Sequence, residues 1–235
     1  MNAANLKELW SRRDNKLLVI LGSIPVLYMC YIYPGRNEVF GWFFGQGLSQ
    51  VPYQVAFEAY RYLLALFFLG IVPILIIRFG LHDRLGDYGL GPHEPKYNLI
   101  FVLIGAAVVI PLGYFSSHNP DFQRLCPQIR CARGSVQLFL ISSGLYLLYY
   151  IGYEVFFRGY LLFGIEKRLG GWPAILITTM ATTLVHITRP AGEYGAALIA
   201  GFIFGYVALR TRSIWGVFAL HAITGLALDF FCAFH

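Results

Sequence analysis

The chain has 235 residues, 57% hydrophobic, 17% aromatic and only 13% charged, with a mean hydropathy of +0.61. Soluble domains carry about 25% charged residues, so this balance excludes an ordinary soluble domain and places the chain among integral membrane proteins. The formal net charge of +6 does not mark a nucleic-acid partner, because the basic residues sit at the ends of apolar runs, where they report topology.

In chain order, Lys7, Arg12, Arg13 and Lys16 precede an apolar run over 17–33. That run is too long for the core of a cleaved signal peptide and no small-x-small site follows it, so a retained signal anchor is expected as the first span. Further spans are expected over 57–77, 98–115, 137–163, 172–187, 194–209 and 213–232, with Pro25, Pro73 and Pro111 kinking theirs. The expected fold is all-α, a polytopic membrane bundle of about seven transmembrane helices forming a single domain over 1–235. An eighth span within Val39–Phe57 competes with a re-entrant or interfacial segment, which Gly45, Gly47 and Pro52 favour.

Seven spans put the termini on opposite sides. With the N-terminus inside, eleven lysines and arginines fall in inner segments and five in outer ones, leaving Arg61 and Arg158 within spans. The bias places the N-terminus in the cytoplasm, in a bacterial inner membrane. An endoplasmic reticulum membrane would suit the same bias. The segment His82–Tyr97 is then an inner turn region and Ser116–Val136 the longest outer loop. The outer loop carries Cys126 and Cys131, which an oxidising compartment would let close into a disulfide; two free thiols are the equal alternative. Cys30 and Cys232 read as small hydrophobes. Gly201 and Gly205 form a small-xxx-small pair for close helix approach. Ser213 is placed to cap the last helix, and Trp215 to anchor it at the interface.

The chemistry lies in a few polar residues inside apolar runs. Glu154 and Arg158 share a helix face four residues apart. An intramembrane ionisable residue costs about 3 kcal/mol or more, which points to function, although a self-neutralising structural pair is the competing reading. His186 ends the fifth run, and alone it reads as an interface histidine. Glu193 opens the next helix, where a carboxylate suits the positive helix end. His221 lies two turns into the last span, and Asp229 eight residues on, near the outer boundary and solvated. Together they offer a carboxylate, two imidazoles and a guanidinium at low dielectric, a set able to activate water and stabilise an oxyanion.

The order Tyr153-Glu154-Val155-Phe156-Phe157-Arg158-Gly159, then His186 with Arg189-Pro190 and Glu193, then Arg210-Thr211-Arg212-Ser213-Ile214-Trp215 leading to His221 resembles the CAAX-processing and bacteriocin-processing (CPBP, or Abi) intramembrane glutamic proteases over about 137–231. The family pattern is Glu-Glu-xxx-Arg, Phe-xxx-His and His-xxx-Asn. Here Tyr153, Thr182 and Gly225 stand at the first Glu, the Phe and the Asn. The resemblance implies an intramembrane endopeptidase acting on a membrane-associated or exported protein or peptide. It implies that Glu154 and His186 activate water, that Arg158 orients, and that His221 holds the oxyanion. Candidates to make up the missing groups are Tyr153 as an oxyanion donor, Glu193 as a second carboxylate, Asp229 as a partner drawing Arg158 away from Glu154, and Thr224 in place of the Asn. No cofactor is expected and a metal is disfavoured, because no H-E-x-x-H or similar spacing occurs. Two other readings compete: a non-catalytic membrane scaffold or immunity protein of the same fold, and a small transporter, against which no inverted repeat is visible.

Overall fold

The computed structural model describes residues 12–234, with side chains from Asn15 onward, so Lys7 and the side chains of Arg12 and Arg13 lie outside it. Every regular element among the described residues is helical. Helix α1 spans Arg12–Ile32, α2 Asn37–Phe43, α3 Gln50–Gly80, α4 Pro95–Ser117, α5 Pro120–Gln123, α6 Val136–Leu169, α7 Gly171–Val185, α8 Ala191–Thr211 and α9 Trp215–Phe234. Six of these, α1, α3, α4, α6, α8 and α9, are long and apolar enough to cross a membrane, and α7 is a shorter apolar helix. The chain is an integral membrane protein with a bundle close to the expected seven helices.

The Val39–Phe57 stretch is not an eighth span. It divides into α2, a turn containing Gly47 at φ 77°, and the first two turns of α3. The second long helix therefore starts at Gln50 rather than 57. Pro52 lies in its first turn, where a missing N–H breaks no intrahelical bond.

Pairwise register fixes the relative direction of the helices. Ile20 lies against Gly164, Ser23 bonds Tyr160 across 2.9 Å, and Tyr31 meets Tyr149, so α1 and α6 are antiparallel. Tyr62 stacks on Tyr146 and Ala65 lies against Gly152, so α3 and α6 are parallel. Asn98 meets Gly216, Gly105 meets Leu220 and Gly113 meets Leu228, so α4 and α9 are parallel. Gly201 and Gly205 face Thr179 and Ile175 on antiparallel α7; a Cβ added at Gly201 would lie 2.7 Å from Thr179 Cγ2. These directions require α7 to return the chain as a crossing leg would. At 15 residues it rises about 22 Å, short of the ~30 Å hydrocarbon core. His186 follows directly upon its last turn.

The centre is α6. All twelve residues from Gly152 to Phe163 are buried. A helix apolar on every side belongs inside a bundle, which accounts for the lack of any polar face here. The helix widens into π geometry over Val155–Phe163, immediately after Glu154; such turns recur at functional sites. In α3, π turns over Leu66–Ile71 and Ile76–Gly80 flank Pro73, where the proline removes a donor from the regular ladder.

At the end of the bundle where α1 begins, Lys16 and Tyr88 both donate to Asp83. Burial pushes the Asp83 carboxyl up, but these two hydrogen bonds and the Lys16 charge outweigh it and hold it below the usual carboxylate range. A depressed carboxylate stabilises the fold above its unfolded value, about 4, and loses that contribution as pH falls through the folded one. The difference in thermal midpoint between wild type and Asp83→Asn should be constant near neutrality and shrink on acidification below about pH 4; a difference that persists unchanged would contradict this. Beyond Arg212, at φ 52°, Ser213 caps α9 by accepting the Trp215 N–H at 3.3 Å, and the Trp215 indole donates to the Leu90 carbonyl.

Candidate active site

Arg158 projects from the π-widened centre of α6 and Glu154 from the α-helical residue just before it, 2% and 0% exposed. His221 enters from α9, and its Nδ1–H donates to Glu154 Oε1 across 2.6 Å, a short charge-assisted contact. The second carboxylate oxygen, Oε2, lies 3.6 Å from Arg158 Nε, too far for a hydrogen bond. Oε2 is buried and accepts no hydrogen bond, and the buried Arg158 Nε and Nη1 donate none. The carboxylate is thus not consumed by the guanidinium. One oxygen holds the imidazole and the other faces the cation.

Aromatic rings enclose this pair. Tyr150, Tyr153 and Phe204 lie 4.7, 5.2 and 5.7 Å from the His221 ring. Arg158 packs over Tyr153 and Phe204, and the Tyr153 hydroxyl is within bonding reach of the guanidinium. The His221 side chain is 19% exposed whereas Glu154 is sealed, so the imidazole forms the accessible edge of the centre.

His186 is half-buried at the C-terminal end of α7. Its Nδ1–H donates to the Thr182 carbonyl at 2.7 Å, which fixes the tautomer and leaves Nε2 with its lone pair. It lies within electrostatic reach of His221, Arg158 and Arg189, but makes no hydrogen bond to Glu154. Glu193 pairs with Arg189 at 3.7 Å and is also within reach of His221.

The remaining candidates lie apart. The Thr224 hydroxyl donates to the Leu220 carbonyl and so is committed to its own helix. Asp229 does not partner Arg158 and is not solvated. It is buried under the loop between α5 and α6 and accepts the Gln128 N–H at 3.2 Å. A Cβ on Gly225 would fall 1.8 Å from the Tyr150 hydroxyl, so a side chain at 225 and the Tyr150 ring compete for one space. No bond joins Cys126 to Cys131 in this structure. Cys126 turns inward against α9, while the Cys131 backbone is held towards α3 by Gln54.

A second intramembrane pair was missed from sequence. Glu58 and Arg61 on α3 meet at 2.6 Å, and Arg61 also reaches Gln128. Opposite charges three residues apart in an apolar run were the available signal. No three His, Cys, Asp or Glu side chains among the described residues form a metal-binding set. A cavity of about 450 Å³ lies away from this centre, lined by Lys16, Asp83, Phe163, Lys167 and Arg168. It contains no carboxylate–imidazole pair.

Residues 135–227 match the family model described as type II CAAX prenyl endopeptidase Rce1-like, bearing out the resemblance drawn from the motifs. No curated protein and no solved structure matches the chain.

Proposed function

We propose, from the match of residues 135–227 to the Rce1-like, CAAX-protease-type family model, that this chain is an intramembrane endopeptidase that hydrolyses a peptide bond of a membrane-associated or exported protein. The 2.6 Å bond between Glu154 and His221 carries the reading. It couples a buried carboxylate to an accessible imidazole within the matched segment.

In this reading His186 Nε2 takes a proton from water as hydroxide attacks the scissile carbonyl. In its imidazolium form His221 presents Nε2–H to the developing oxyanion while its Nδ1–H stays on Glu154. The proton held by His186 then passes to the leaving amine. Glu154 acts through His221 rather than on water directly, and Arg158 balances the charge of Glu154. The N-terminus faces the cytoplasm, as the basic residues favour, and the site opens toward the outer half of the membrane. That side suits an exported or membrane-anchored substrate better than a cytosolic prenylated one.

A second reading rests on the aromatic enclosure. With Tyr153 and Tyr150 packed on His221 and a side chain excluded at Gly225, the same fold serves as a non-catalytic scaffold. One measurement separates them. His186→Ala and Glu154→Gln, made singly, should each slow cleavage of a candidate membrane substrate by about a hundredfold or more. Wild-type rates in both variants would overturn the catalytic reading.

A further inference from the structure

Two cysteines far apart in sequence meet beneath the loop that joins α4 to α6. Cys126 follows α5, and Cys232 lies in the last turn of α9; both are 4% exposed. Their thiols lie close enough to interact with each other. The loop is anchored to α9 on both sides of this contact. Gln128 N–H donates to Asp229 at 3.2 Å and Gly134 N–H to the Ala233 carbonyl at 3.1 Å. Asp229, Cys232 and Ala233 stand at i, i+3 and i+4, so they line one helix face, and the loop lies along that face. Arg133 secures the Cys126 carbonyl at 2.9 Å. The other two thiols have different surroundings: Cys131 is half-buried with its N–H on Gln54 of α3, and Cys30 sits in α1.

We propose that Cys126 and Cys232 form a disulfide that locks the loop onto the end of the helix carrying His221. The two thiols release two protons and pass two electrons to an acceptor disulfide of the thiol-oxidase class, which leaves as a dithiol while one Sγ–Sγ bond forms. Compartments beyond the cytoplasm keep such bonds, and the positive-inside count puts this end of the bundle there. The pairing does not depend on the protein being a protease.

The test counts thiols in the full-length membrane protein. Membranes are dissolved in denaturing detergent with a polyethylene-glycol maleimide, with and without prior reduction. Of the four cysteines, wild type should take two labels unreduced and four after reduction. Cys131→Ser should take one and three, keeping the reductant-dependent step. Cys126→Ser and Cys232→Ser should each take three under both conditions. Four labels on unreduced wild type, or loss of the step in Cys131→Ser, would overturn the proposal.

Discussion

Arg158→Leu is expected to lower stability by about 3–5 kcal/mol, because it strands a carboxylate that has no access to solvent. Glu154 is 0% exposed, its Oε2 receives no hydrogen bond, and the guanidinium at 3.6 Å is the cation that faces it. His221 would remain on Oε1, yet one imidazole cannot replace both a charge and the packing of the arginine stem between Tyr153 and Phe204. Leucine fills part of that space without adding a polar group. The double variant Glu154→Gln/Arg158→Leu removes both charges and leaves an amide for His221, so it should recover most of the loss, as apolar replacement of whole buried pairs often does. Thermal midpoints in detergent micelles measure both effects. A double variant no more stable than Arg158→Leu alone would show that charge burial is not what the arginine relieves.

The parts of this centre readable in the chain are those that lie close in sequence. Glu154 and Arg158 sit four apart on one helix, and long apolar runs placed five of the six long helices within a few residues. The start of α3 was hidden because Gln50, Pro52 and Tyr53 look like a loop, although proline is at home in a first helical turn. The Glu154–His221 bond spans 67 residues, and no spacing rule predicts which helix supplies the partner. The position of His186 depends on where α7 stops, which is set by its packing against α8 as much as by Arg189-Pro190. Asp229 illustrates the same limit: its position near a helix end suggested water, but a loop a hundred residues earlier folds over it. The cysteines follow suit, since local spacing nominated Cys126 and Cys131 while the fold turned Cys126 toward Cys232.

If Glu154 acts through His221, the two residues should not contribute independently to rate. His221→Ala and Glu154→Gln are each expected to reduce kcat by about 10²–10³-fold. Their combination should be no slower than the slower single variant, because removing the imidazole leaves the carboxylate nothing to hold, and removing the carboxylate leaves the imidazole without its counter-charge. His186 is the contrast: its Nδ1–H is held by Thr182, not by Glu154, so His186→Ala in the Glu154→Gln background should cost a further factor. The comparison is made at a temperature where each variant retains its fold, since Glu154→Gln leaves Arg158 without its carboxylate. Multiplicative losses in the Glu154–His221 cycle would separate the two residues and return Glu154 to direct work on water. A Glu154→Gln loss that vanishes once His221 is gone would assign the carboxylate to the imidazole, and with it the oxyanion rather than the nucleophile.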